Sequence, residues 1–580
     1  MTDHFWGQRL KTSREVTIPL AFRKSEETGR IKNFEKAAHP SEDYKVEGFS
    51  FDDTDIYKTI EGASYSLQTY PDKRLEKYID SILAIVATAQ EPDGYLYTAR
   101  TMNPKHPHDW VGKERWVAVE NLSHEFYNLG HMIEGAIAHY QATGKRNFLD
   151  IAIKYADCVC RAIGNAPEQK RLVPGHQIAE MALVKLYLVT GDRKYLDQAK
   201  FFLDARGYTG RKDAYSQAHK PVIEQDEAVG HAVRAVYMYS GMADVAAITG
   251  DSSYIKAIDR IWDNIVSKKM YITGGIGARH QGEAFGDNYE LPNHPNPLAS
   301  DGGYSRKPWF GCACCPSNIS RFIPSLPGYV YAVKDRQVYV NLFLSNRAEL
   351  KVNDKKVVLE QETSYPWKGD IRLKVLQGNQ PFGMNVRIPG WVRGSVLPSD
   401  LYAYADHQQP AYRVMVNGQE VEGELHNGYL TIDRKWKKND VVEIHFDMLP
   451  RLVKANEKVA ADRGRVAVER GPVVYCAEWP DNDFNVHTLL MNRRPELRVV
   501  ERPELLYGLN QIVTDAQALS YDKAGKLAVK DVKLTLIPYY AWAHRGEGDM
   551  EVWLPMEVNA TSAQPQKGVK WKDNGFFNNK

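Results

Sequence analysis

The chain has 580 residues, 43% of them apolar and 26% charged, which is the composition of a folded globular protein with room for several domains. Its 75 Lys and Arg against 73 Asp and Glu leave a formal charge of +2. That balance gives no general attraction to phosphate backbones or anionic membranes, so neither nucleic acid nor membrane is an expected partner.

Met1–Leu20 is too polar for a signal peptide, and no apolar run approaches the ~20 residues that span a bilayer. A trimmed chain would look the same, which leaves cytoplasmic and periplasmic locations open. From about Asp55 to Met270 apolar residues recur every three or four positions, the period of an amphipathic helix. A short repeat punctuates this region. Thr143-Gly144-Lys145-Arg146-Asn147-Phe148-Leu149-Asp150 returns as Thr190-Gly191-Asp192-Arg193-Lys194-Tyr195-Leu196-Asp197 and again from Thr249-Gly250-Asp251. Each glycine suits the left-handed stop of one helix, and the aromatic-aliphatic pair opens the next. The spacing predicts stacked helical hairpins, closed as an (α/α)6 toroid or open as a solenoid. After about Tyr329 the pattern alternates with period two, as in Gln337–Leu344 and Val442–Phe446, with hairpin signals at Asn417-Gly418 and Asn427-Gly428. The expected architecture is multidomain α plus β: an N-terminal segment over 1–20 joining a β domain, a toroid over 21–334, and jelly-roll-like β-sandwiches over 335–455 and 456–580.

Three histidines follow glycines in the helical region: His131, His176 and His231. In a toroid one end of every inner helix faces the central cavity, where neutral imidazoles suit hydroxyl recognition; three unrelated buried histidines are the plain alternative. Glu283 follows a glycine-rich run from Gly274. With Phe285 and Phe310 as apolar neighbours, burial would raise its pKa towards that of a general acid. The 33 Tyr and 12 Trp supply rings that stack on sugars or fill cores. Six cysteines form no evenly spaced disulfide framework, yet Cys312, Cys314 and Cys315 crowd into four positions. Thiolates at such density favour zinc. Ser317, ahead of Ile319-Phe322-Ile323, is placed to cap a helix and put the thiols at its positive end, where a thiol becomes a nucleophile.

Around these residues the sequence resembles glycoside hydrolase family 127, the β-L-arabinofuranosidases, with family 146 as a close relative. The similarity runs through Asp3-His4-Phe5-Trp6, Gln90–Tyr97, Gly282-Glu283-Ala284-Phe285, Arg387–Trp391 and Pro538–Ala543, and is most specific at Trp309-Phe310-Gly311-Cys312-Ala313-Cys314-Cys315-Pro316. The resemblance implies retaining hydrolysis that releases L-arabinose from plant glycan fragments. Cys314 would be a zinc-held nucleophile, Cys315 a further zinc ligand, Glu283 the acid/base, and His131, His176 and His231 sugar contacts. Cys312 stands as a third ligand available within the chain. An arabinose-containing oligosaccharide is the expected partner, and the β modules are free to position the barrel, bind polymer or join protomers as a homodimer. A toroid glycosidase of other sugar specificity, or a carbohydrate-binding zinc protein without turnover, are the competing readings.

One departure from the family pattern stands out. A Glu-x-Cys segment expected after Tyr289-Glu290-Leu291-Pro292-Asn293 is absent, and the chain runs directly into His294-Pro295-Asn296-Pro297. A helical hairpin is missing there, which leaves the zinc site incomplete in this sequence. A genuine deletion would bare a large apolar core; the alternative, a segment outside the sequence, predicts an over-long link near Asn293–Pro295.

Overall fold

The computed structural model describes residues 1–293, 306–307, 309–406, 408–521 and 526–560. The link near Asn293–Pro295 lies outside the described residues. Thirteen α-helices come first: α1 Trp6–Thr12, α2 Ile18–Glu27, α3 Arg30–Ala38, α4 Asp53–Thr69, α5 Lys73–Thr88, α6 Thr98–Thr101, α7 Glu125–Thr143, α8 Asn147–Ala162, α9 Ala179–Thr190, α10 Arg193–Ala205, α11 Ala232–Thr249, α12 Ser252–Lys268 and α13 Cys314–Ser325. Gly144, Gly191 and Gly250 end α7, α9 and α11 in the left-handed region, as the repeat predicts. Asp192 and Asp251 then cap α10 and α12 by accepting backbone N–H groups.

The helices form two layers. α4 and α7 are buried almost all round, whereas α5, α8, α10 and α12 each bury one stripe and present the other to solvent. The inner helices pack in the order α13–α4–α7–α9–α11. Five inner helices are thus present among the described residues. Val233 on α11 is exposed, as are Ile319 and Phe322 on α13. Arg321 on α13 donates to the Tyr237 hydroxyl of α11 (2.6 Å). Among the described residues no helix is long and apolar enough to cross a membrane.

The β region follows. A five-stranded sheet runs Tyr331–Lys334, Gln337–Val340, Gln380–Arg387, Tyr429–Trp436, Leu425–His426 in spatial order. A six-stranded sheet runs Asn346–Val352, Lys355–Thr363, Asp370–Gln377, Val441–Phe446, Tyr412–Val416, Gln419–Glu420. One core, including Val338, Leu359, Phe382 and Trp436, lies between them. A third sheet of ten strands is built around the antiparallel pair Leu509–Tyr521 and Leu527–Pro538, and it also takes in Tyr402–Tyr404 and Pro450–Ala455. The N-terminus touches the sandwich: Thr2 donates to the Ser345 carbonyl (3.0 Å), and the Ser345 N–H donates to the Asp3 carboxylate (2.9 Å).

The third sheet also meets the helical domain. Ile272 and Leu291 are buried in a cluster with Leu401, Tyr402, Val459 and Trp553, and the Tyr402 hydroxyl donates to the Met270 carbonyl (2.9 Å). These contacts fasten both ends of the 270–291 loop, which carries Glu283.

Candidate active site

Cys314 opens α13, and Cys315 follows in its first turn. Ser317 is therefore inside the helix. Its hydroxyl donates to the Ala313 carbonyl (2.7 Å) and provides no cap, so the expected Ser317 cap is corrected. The reason is that the helix starts three residues earlier, which puts the thiols themselves among the free N–H groups of the first turn. The Cys312 thiol donates to Cys314 sulfur (3.6 Å), and Cys315 sulfur lies 3.8 Å away on the other side. Hydrogen bonds from these two thiols, with the Lys58 charge behind them, pull the Cys314 pKa far below the ordinary thiol value. The same contacts drive Cys312 and Cys315 upward. Cys314 sulfur thus lies within reach of both neighbouring sulfurs, and none of the six cysteines is in a disulfide.

The cysteine turn is clamped from below. Arg30, buried, donates to the Gly311 carbonyl (2.8 Å) and pairs with Asp52 (2.8 Å) and Asp55 (3.3 Å). Lys58 Nζ, fully buried on α4, donates to the Tyr127 hydroxyl (2.7 Å).

The three predicted histidines come together. His176 lies 5.6 Å from His231 between ring centroids, and Tyr127 stands between His131 (4.6 Å) and His176 (4.3 Å). His131 sits within α7, fully buried, with both ring nitrogens free of protein partners. Burial pushes the pKa values of His131 and His176 well below the ordinary imidazole value, so both are neutral. His176 Nδ1 faces the Gln177 carbonyl (2.9 Å), an acceptor only, which fixes the proton on Nδ1 and leaves Nε2 as an acceptor. His231 caps α11: its Nδ1 accepts the Arg234 N–H (3.3 Å), so Nε2–H donates to the Glu283 carboxylate (3.0 Å).

Glu283 stands at the tip of a tight turn, with Gly282 at φ 74° and Glu283 itself at φ 48°. Bridges from Ala284 to Arg279 and His231 hold that turn against the start of α11. Here the burial expected from the sequence is corrected. Glu283 has 56% of its side chain exposed, Phe285 points into the core, and Phe310 is itself exposed. The carboxylate is held by His231 in place of an aromatic pocket. Its charge lies close enough to Cys315 to raise that thiol, so Glu283 and the cysteine turn face one another.

Several residues of the site were not singled out from sequence: Tyr127, His124, Lys58, Arg234 and Tyr237. His124, Tyr127 and His131 fall at i, i+3 and i+7, one face of one helix, and that spacing was the available signal. Lys58 and Tyr237 carried none, because their roles arise from packing between distant helices.

A tetrahedral zinc with Zn–S bonds of about 2.3 Å holds its sulfurs about 3.8 Å apart. The Cys314–Cys315 separation of 3.8 Å matches one such edge. Among the described residues, however, no group of three or more His, Cys, Asp or Glu is arranged to hold a metal. The thiols fit part of a zinc site and do not complete one.

The family description "Beta-L-arabinofuranosidase, GH127 catalytic domain" matches residues 1–297, with the family's middle domain at 337–448 and its C-terminal domain at 450–555. The chain belongs to glycoside hydrolase family 127. A family 127 relative, the non-reducing end β-L-arabinofuranosidase of Bifidobacterium longum, is 31% identical across 90% of this chain and 92% of its own. That alignment extends over 634 positions, more than this chain has residues, so the relative carries segments with no counterpart here. Among solved structures, a family 127 β-arabinofuranosidase is 75% identical with a TM-score of 0.95, covering 97% of this chain and 98% of its own. The family 127 β-L-arabinofuranosidase of Geobacillus stearothermophilus T6 is 33% identical with a TM-score of 0.87, covering 96% and 99%. As a family 127 member the protein is a glycoside hydrolase, with a helical catalytic domain followed by β-sheet domains.

Proposed function

We propose that this protein is a retaining exo-acting β-L-arabinofuranosidase that uses Cys314 as its nucleophile. The observation that carries the reading is the depressed Cys314 thiol at the head of α13, facing a carboxylate held by His231. In the first step Cys314 sulfur bonds to the anomeric carbon as the bond to the aglycone oxygen breaks, and Glu283, which enters the cycle protonated and becomes the carboxylate, passes its proton to that oxygen. In the second, Glu283 takes a proton from water, the water oxygen bonds to the anomeric carbon, and the carbon–sulfur bond breaks. Two inversions keep the β configuration.

The remaining residues bind. Neutral His131 and His176 offer acceptors and donors to furanose hydroxyls without the desolvation cost of a charge. Tyr127 and Tyr237 add hydroxyls and ring faces. Cys314 and Cys315 would supply two sulfurs to zinc, which as a Lewis acid stabilises thiolate. Since the remaining ligands are not among the described residues, no step above depends on the metal. The substrate class is an arabinofuranoside-containing plant glycan, hydroxyproline-linked or pectic.

The test is hydrolysis of an aryl β-L-arabinofuranoside. Cys314→Ala is expected to lose at least about 10³-fold in kcat, the scale seen when a nucleophile is removed from a concerted site. A Cys314→Ala enzyme turning over at the wild-type rate would overturn the thiol mechanism.

A further inference from the structure

A cavity of about 660 Å³ lies where the N-terminal segment, the base of the 270–291 loop and both β modules meet. It shares no residue with the cysteine–histidine site. Its volume falls in the range of about 300–1,000 Å³ typical of small-molecule sites, which favour such domain junctions.

Seven aromatic residues stand among its 23 lining residues. Phe5 and Tyr540 stand edge-to-face with centroids 5.3 Å apart, and the Arg9 guanidinium, 3.7 Å over Phe5 and 4.7 Å from Tyr540, fixes both rings. Trp391 forms another wall, braced from behind by Phe446 at 5.7 Å. Its indole is 8% exposed, and its N–H bonds the Tyr365 hydroxyl on the same wall, which holds the ring in place at the cavity's edge.

Two further polar groups point the same way. Glu469, 7% exposed, lines the cavity, and its Oε1 accepts from the Tyr404 hydroxyl (2.8 Å). Burial raises its pKa to about 7, so near neutrality it both donates and accepts. Arg387 lines the same cavity at an exposed position. Rings for the apolar face of a sugar, with a carboxyl and a guanidinium for its hydroxyls, are complementary to a carbohydrate.

We propose that this junction cavity is a second, non-catalytic carbohydrate site that binds one or two neutral sugar units of the glycan being trimmed. The ligand class rests on the arabinofuranosidase reading; the cavity and its lining do not. Occupancy would tether polymer or oligosaccharide to the enzyme while a chain end reaches the cysteine site.

The probe is a sulfur-linked L-arabinofuranosyl disaccharide that resists cleavage, titrated calorimetrically into the intact protein. Two binding events are expected. Glu469→Gln, nearly isosteric, and Arg387→Ala, at an exposed position, should each weaken one event at least tenfold and leave the other unchanged. Both variants should keep wild-type kcat on the aryl glycoside and lose activity several-fold on a plant glycan bearing terminal β-L-arabinofuranosyl units. A single binding event, or two events indifferent to both substitutions, would overturn the proposal. Failure of the catalytic reading would show instead in aryl-glycoside turnover by Cys314→Ala, with the binding count unaffected.

Discussion

His231 is asked to do two things at once. Its Nδ1 caps α11 and its Nε2–H holds Glu283, so the carboxylate's position is tied to a helix end through one ring. Because Glu283 sits at a positive φ and is largely exposed, little else restrains it. His231→Ala is therefore expected to lower kcat by about 10²-fold, the cost of a small misplacement of a catalytic group. Steady-state kinetics on the aryl glycoside check this, together with a thermal melt showing the fold intact. His176→Ala, which removes a neutral imidazole proposed to contact the sugar, should act mainly on KM. A third residue matters for stability alone. Asp462 is buried, its Oδ1 is unpartnered, and burial raises its pKa to about 8. The folded chain then holds a proton that the unfolded chain releases between about pH 4 and pH 8, so stability falls as pH rises through that window. Asp462→Asn should leave the melting temperature unchanged at pH 4 and raise it at pH 8, relieving about 1–3 kcal/mol.

Among the elements, the inner helices touch through glycines. A Cβ on Gly62 of α4 would lie 2.2 Å from the Ser320 carbonyl of α13, and one on Gly130 of α7 would lie 2.9 Å from the Ala179 nitrogen at the head of α9. Gly62→Ala must push α13 away, at a cost of about 1–3 kcal/mol. Since α13 carries Cys314, activity should fall along with the melting temperature. Charge also binds this pair: buried Glu61 on α4 accepts from Arg321 on α13 (3.1 Å). Arg321→Ala strands that carboxylate and is expected to cost about 3–5 kcal/mol, measured by denaturant unfolding. The helix boundaries were largely legible, since Thr-Gly stops and Asp caps are local chemistry. The pairing of α4 with α13 was not, because it joins residues some 260 positions apart whose partners carry no mark in the chain.

In the whole molecule, the catalytic loop belongs to two domains. Its chemistry faces the helical cavity, while Ile272 and Leu291 are sunk into the core of the third sheet. The β modules thus help set the position of Glu283, the proposed acid, which they do not contain. Tyr402→Phe, which removes the bond to the Met270 carbonyl, should cost about 1 kcal/mol and lower kcat without changing KM.

By itself the sequence determined the helical repeat, the change to period two near residue 330, and the cysteine cluster as the place for chemistry. These rest on spacing and local backbone preference, which need no distant partner. Only the tertiary structure decided that Cys314 lies between two other sulfurs that pull its pKa down, that Glu283 is held by a histidine in place of aromatic rings, and that Lys58 and Tyr127 join the candidate site. Each of those depends on which side chains meet across helices, where burial and hydrogen bonding set protonation and no periodicity in the chain records the contact.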